Sequence, residues 1–316
     1  MFSLYEIITY IVYLYLLNLA WKLLYWFYSA LLRPRKDFIN LYGKDSWVLV
    51  TGASDGIGKA FCEELAKTGF NIILVARNLD KLNKVADSLK VLNPKINTKV
   101  VVFDFSKKTS LQDYNSTFVD GLKDLDISFL INNVGTGYPN KFVDVSLNEV
   151  EDVINLNIIP QTFLMKLFQS NLKARKGRSA IINVSSYGGQ FPLPYYSLYS
   201  ATKVYSDFLS RGVGYEDKEK IDYLCVKPFE VASILSGHAT YDGFFVISPT
   251  ACATGSLNCL GYETWTAGGW THQIQVAICD FAIALVPEWF SFWVQSLINK
   301  SLIELHKSNK EKEKTK

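Results

Sequence analysis

The sequence predicts an α/β fold: a Rossmann-like doubly wound parallel sheet with an N-terminal membrane anchor and a C-terminal substrate- or membrane-facing extension. Three observations predict it. Short β-rich runs alternate with amphipathic stretches from Trp47 to Val226, the pattern of a parallel sheet covered by helices on both faces. A glycine-rich turn, Thr51 to Gly58, joins the first run to the first helical stretch. Met1 to Leu32 is almost wholly apolar and aromatic, with Glu6 and Lys22 as its charged residues.

That first segment is long enough to cross a bilayer, which takes about 20 apolar residues. A cleaved signal peptide would start basic and end at small residues. This one starts with Phe2 and Glu6 and is aromatic throughout, so an uncleaved anchor over residues 1–36 is expected. Arg33, Arg35 and Lys36 follow it, and the positive-inside rule then puts the remainder in the cytosol. Lys22 either snorkels or marks where a spanning helix gives way to one on the surface.

With 316 residues, 49% of them hydrophobic, the chain can bury one large core and still present aromatics to a membrane. A net charge of +3 without an Arg-rich stripe predicts no nucleic-acid partner. The five cysteines are odd in number and form no Cys-x-x-Cys pair, as buried free thiols in a reducing compartment would. Three histidines without a cluster predict no metal site.

Strands are expected near Trp47–Thr51, Asn71–Val75, Lys99–Phe103, Ile127–Ile131, Ala180–Val184 and Tyr223–Val226, and helices over Lys59–Lys67, Lys81–Val91 and Leu147–Leu172. No repeat or linker interrupts them, so residues 45–236 read as one domain. In the turn Gly52-Ala53-Ser54-Asp55-Gly56-Ile57-Gly58 the glycines let the backbone approach a pyrophosphate at a helix N-terminus. Arg77 ends the second strand where an NAD site carries a carboxylate; a guanidinium there suits a 2′-phosphate, so NADPH is the expected cofactor. Its bland reading is a solvated strand end. Asp104, ending the third strand, is placed to accept from an adenine amino group or to cap the next helix. Asn133 and Gly135 follow the fourth strand, where ligands of open α/β sheets bind. Pro160 is expected to bend the following helix and release a carbonyl near Asn157 for a water. Ser186 ends the fifth strand thirteen residues before Tyr199, and is preferred to Ser185 as its partner. Tyr199 and Lys203 lie four apart, on one helix face, so a cation can acidify the phenol.

These residues resemble the short-chain dehydrogenase/reductase family over roughly Trp47 to Ser233. The resemblance implies that Tyr199 donates the proton to a carbonyl oxygen. Lys203 would hold the nicotinamide ribose and lower the Tyr199 pKa, Ser186 orient the carbonyl, and Asn157 hold a relay water. Pro228, Val231 and Ser233 would contact the nicotinamide, with Phe229 where the family commonly has Gly. The anchor, Arg33 to Lys36, the Tyr199–Lys203 stretch and the segment from Ser248 to His272 resemble microsomal very-long-chain 3-oxoacyl-CoA reductases and the related 17β-hydroxysteroid dehydrogenases. This implies reduction of 3-oxoacyl-CoA in fatty acid elongation at the endoplasmic reticulum membrane. The alternatives are a hydroxysteroid or retinoid dehydrogenase with the same site, and a nucleotide-binding scaffold without turnover. Expected partners are a long-chain acyl-CoA or another lipophilic carbonyl compound and the membrane, with room for a homodimer and for other elongation enzymes.

Residues 237–300 outgrow the sheet. Ala277 to Ile298 is strongly apolar but carries Asp280, Pro287 and Glu288, so it reads either as a substrate-covering segment dipping into a membrane face or as a buried helix. In the charged tail, 301–316, Lys312 and Lys314 resemble a dilysine retrieval signal.

Overall fold

The computed structural model describes residues 3–34, 36–233, 236 and 243–314. It divides into two compact units, Met1–Lys36 and Asp37–Lys316. In the first, Ser3 and Glu6 form a reciprocal capping box that starts α1 (Leu4–Phe27). Within it, Leu4–Trp21 has a mean hydropathy of 1.4 with none of the window buried, and is long and apolar enough to cross a membrane. Arg35 and the Lys22 side chain lie outside the described residues.

The second unit opens with α2 (Phe38–Tyr42) and continues as β1 (Trp47–Thr51), α3 (Gly56–Thr68), β2 (Asn71–Ala76), α4 (Leu79–Leu92), β3 (Thr98–Val102), α5 (Leu111–Tyr114) and β4 (Ile127–Asn132). After α6 (Leu147–Asn157) and α7 (Ile159–Ala174) come β5 (Ser179–Val184), α8 (Ser197–Asp217) and β6 (Ile221–Val226). With the short β9 (Trp265–Thr266) these strands form a seven-stranded sheet in the order β3-β2-β1-β4-β5-β6-β9. Every pairing in it is parallel. The strand β2, for instance, is buried along its whole length, because helices cover both faces. Alternate side chains therefore enter opposite cores. Val48, Val50, Ile72 and Leu74 pack with Phe61 and Leu65 of α3, whereas Leu49, Ile73 and Val75 pack with Phe168 and Leu172 of α7.

Two expectations need correction. The stretch Leu147–Leu172 is two helices that part at Ile158, φ −109°, because Pro160 has no N–H to give back along the helix. The Asn157 carbonyl accepts the Gln161 side-chain amide at 2.9 Å. Nor is Ala277–Ile298 one segment: it falls across α10 (Trp270–Leu285) and α11 (Glu288–Lys314), which break at Val286 and Pro287. Ile278, Phe281, Leu285, Trp289 and Trp293 on these helices are exposed, so the buried-helix reading does not hold. Between β6 and β9 lie β7 (Glu230–Val231) and β8 (Val246–Ile247), which pair with each other, and α9 (Pro249–Cys259). Residues 237–242 fall outside the described residues. Cys62, Cys225 and Cys252 are buried free thiols, and burial pushes all three away from thiolate.

Candidate active site

A crevice of about 470 Å³ opens at the carboxyl edge of the sheet, lined on one wall by Gly52, Ser54, Asp55, Gly56 and Ile57. Gly52 takes φ +65°, open to glycine at little cost. A Cβ on Gly58 would come within 2.5 Å of the Asn133 amide nitrogen. That amide donates to the carbonyls of Thr51 and Gly52 at 3.0 and 3.3 Å, tying the turn to the end of β4. Asp55 is the N-cap of α3 but its side chain makes no capping bond, and Gly56 and Ile57 of the first turn of α3 line the crevice with it. A pyrophosphate fits such a cradle.

Arg77 and Lys81 line the crevice beyond the end of β2. Lys81 escaped the sequence reading; its signal is Asn78, which caps α4 by accepting from the Lys81 N–H at 2.9 Å and so sets that residue one turn from Arg77. Asp104 lines the crevice too, but Oδ1 already accepts from the Ser106 N–H and hydroxyl at 3.1 and 2.8 Å. Asn133, Gly135 and Ser233 also line the crevice, whereas Gly58, Tyr199, Lys203, Pro228 and Val231 do not. Val231 is instead drawn into the core through β7 and β8, and the Pro228 carbonyl accepts the Tyr187 N–H at 2.9 Å. Phe229 stands over Tyr187 with ring centroids 4.2 Å apart, which gives the missing glycine a packing reason.

Next to Gly135 lie the groups from α6 and α8: a Cβ there would meet Asn157 Oδ1 at 3.1 Å and Lys203 Nζ at 3.4 Å. Asn157 is clamped. Its Oδ1 accepts the Thr136 N–H at 2.8 Å, and its Nδ2 donates to the Thr136 carbonyl and the Thr202 hydroxyl, both at 2.9 Å. The amide thus fixes the strand-end loop to α8. Lys203 is buried, donates to the Val184 carbonyl at 3.1 Å, and sits 5.4 Å from the centroid of the Tyr199 ring. The two adjacent serines part company: Ser185 Oγ donates to the Lys203 carbonyl at 2.6 Å, while Ser186 Oγ stays on the Tyr199 side, a Cβ on Gly188 meeting Ser186 Oγ at 3.3 Å and Tyr199 Cε1 at 3.8 Å. Tyr196 stacks on Tyr199 at 4.3 Å. Gly137 leaves room for the pair, since a Cβ there would come within 2.6 Å of Tyr199 Cδ2; its sequence signal was the Gly-x-Gly spacing with Gly135.

Burial pushes Tyr199 up to about 12, Ser186 pulls it back and the Glu230 carboxylate raises it. Burial draws Lys203 down to about 8. The Tyr–Lys spacing predicts an acidified phenol; here burial instead raises Tyr199, and the Lys203 ammonium is turned toward the Val184 carbonyl. A phenol held protonated is suited to give a proton to a carbonyl oxygen. Among the described residues no group of three His, Cys, Asp or Glu is placed to hold a metal.

The short chain dehydrogenase family profile matches residues 46–240. The chain belongs to the short-chain dehydrogenase family. A human relative named inactive hydroxysteroid dehydrogenase-like protein 1 is 35% identical over 277 residues, 86% of this chain and 81% of its own length. A very-long-chain 3-oxoacyl-CoA reductase-like protein of Arabidopsis thaliana is 36% identical over 292 residues, 89% of each chain. Among solved structures, a short-chain dehydrogenase from Sphingobium yanoikuyae in complex with NADPH superposes with a TM-score of 0.64 at 26% identity, covering 77% of this chain and 97% of that one. In this short-chain dehydrogenase, Ser186, Tyr199 and Lys203 converge beside the glycine-lined crevice.

Proposed function

We propose that this short-chain dehydrogenase is a membrane-anchored, NADPH-dependent reductase of 3-oxoacyl-CoA to 3-hydroxyacyl-CoA in very-long-chain fatty acid elongation, working on the cytosolic face of the endoplasmic reticulum. The observation that carries the reductase reading is the meeting of Ser186 and Tyr199 beside Gly188 with Lys203, whose ammonium lies 5.4 Å from the Tyr199 ring and next to Gly135. The Arabidopsis relative's name supports the acyl-CoA substrate. Arg77 and Lys81 on the crevice wall support a 2′-phosphate, since two cations there favour the extra charge.

When bound, the nicotinamide supplies the hydride that reduces the carbonyl carbon. The protein's own groups position the substrate and manage the proton. Ser186 directs the carbonyl oxygen toward Tyr199, whose phenol gives up its proton as negative charge develops on that oxygen. The phenolate left behind is stabilised by the Lys203 ammonium and by the Ser186 hydroxyl. Asn157 holds the Thr136 loop against Thr202 and so keeps Lys203 and Gly135 in register.

A second reading, a hydroxysteroid or retinoid dehydrogenase, uses the same four residues, and the human relative's name supports both this class and the non-catalytic scaffold. The test is NADPH oxidation by the purified full chain. Turnover of a long-chain 3-oxoacyl-CoA, lost by a factor of about 10² or more in Tyr199→Phe with NADPH binding retained, is the expected result. Turnover of estrone alone would overturn the acyl-CoA reading, and NADPH binding without turnover of either compound would point to the scaffold.

A further inference from the structure

Two contacts join the C-terminal helices to the loop that separates Ser186 from Tyr199. Tyr187, directly after Ser186 and buried, donates its hydroxyl to Asp280 Oδ1 of α10 at 2.6 Å. At the far end of the loop Asn299 of α11, also buried, donates its amide to the Pro194 carbonyl at 2.8 Å. Lys300 Nζ lies 5.9 Å from the centroid of the Tyr195 ring.

The far end needs holding. Tyr195 has φ +66°, a left-handed conformation that side chains disfavour and that persists where the surroundings impose it. Its carbonyl accepts the Asn140 N–H at 2.8 Å. The next residue, Tyr196, is the N-cap of α8 and stacks on Tyr199. Within the loop, regular structure amounts to one short turn, Tyr187–Gly189, and a stretch of that kind is ordered by what it touches. At its start, Gly188 N–H donates to Ser186 Oγ at 3.1 Å, so movement of Tyr187 is felt at the hydroxyl.

We propose that Asp280 and Asn299 are positioning residues through which α10 and α11 clamp the two ends of the 187–196 loop and set the spacing of Ser186 and Tyr199. The proposal rests on the reading of those two hydroxyls as the carbonyl's partners. It gives the C-terminal helices a task in the reaction separate from any contact with lipid.

The test uses the full chain in detergent with two readouts: amide hydrogen exchange at Tyr187, Gly188, Gly189, Gln190 and Tyr196, and kcat and KM for NADPH-dependent reduction of a 3-oxoacyl-CoA. Asp280→Ala and Asn299→Ala are expected to speed exchange at the adjacent loop end by about tenfold and to lower kcat by about tenfold, with the KM for NADPH within about twofold. Asp280→Asn keeps a carbonyl oxygen for Tyr187 and is expected to restore most of both. Unchanged loop exchange in both alanine variants overturns the clamp, and so does faster exchange with an undiminished kcat. Should an alanine variant loosen the sheet as well, Tyr187→Phe, which removes the hydroxyl and keeps the ring, is judged by the same two results. Wild-type turnover in Tyr199→Phe would instead overturn the reading of the site, and the exchange data would still decide the clamp.

Discussion

Burial acts on Tyr199 and Lys203 in opposite directions, and both shifts favour the neutral forms. Lys203, drawn down to about 8, donates to the Val184 carbonyl at 3.1 Å in place of its hydration. The sign of the resulting pH dependence follows. The ammonium is present below about 8 and is lost as pH rises through that value, well before a solvated lysine would titrate. Since the charged lysine stabilises the phenolate formed at Tyr199, kcat/KM for carbonyl reduction is expected to fall above pH about 8. A profile that stays flat up to pH 10 would show that Lys203 keeps its charge through that range. Ser186 shows how local order makes a site: it and Ser185 continue the alternation of β5, so one hydroxyl binds the backbone of α8 and the other lies with Tyr199 beside Gly188.

Elements matter here through their ends. The close of β2 and the capped start of α4 put Arg77 and Lys81 on the crevice wall. Arg77→Ala is expected to raise the KM for NADPH by about tenfold or more, the scale of a lost charge-assisted hydrogen bond, and to leave the KM for NADH nearly unchanged. Equal losses for the two cofactors would make Arg77 a solvated strand end. A different end joins α8 to β6. Asp207 accepts from Arg211 at 2.8 and 2.9 Å and from the Lys227 ammonium at 3.2 Å, and both Asp207 and Lys227 are buried. Lys227 also faces Gln190 at 3.2 Å and the Trp265 ring at 4.2 Å. Asp207→Ala leaves that ammonium without its counter-charge and is expected to cost about 3–5 kcal/mol of stability, read from the denaturant midpoint. A loss under about 1 kcal/mol would mean that water reaches Lys227.

At the scale of the whole molecule, the apolar helix and the sheet domain are separate units, and the proposed membrane attachment lies with the first. Carbonate extraction is expected to leave the full chain in the membrane pellet and to release a chain that begins at Asp37. Retention of the shortened chain would move the attachment to Phe281, Trp289 and Trp293, which α10 and α11 expose.

The parallel sheet, the glycine turn, Tyr199 with Lys203, and the strand-end positions of Arg77 and Asn133 were legible in the sequence. Each is a local matter of period, turn chemistry or a spacing of four along a helix, and local interactions repeat wherever the same residues stand in the same order. The tertiary structure alone decided the rest: the three bonds that hold Asn157, the raised phenol of Tyr199, the removal of Val231 from the crevice wall, and the grip of α10 and α11 on the loop before α8. Those depend on burial and on partners far along the chain, as Tyr187 and Asp280 are at 93 residues apart. No periodicity reaches across such a distance; folding brings the two groups together and removes the water that would otherwise separate them.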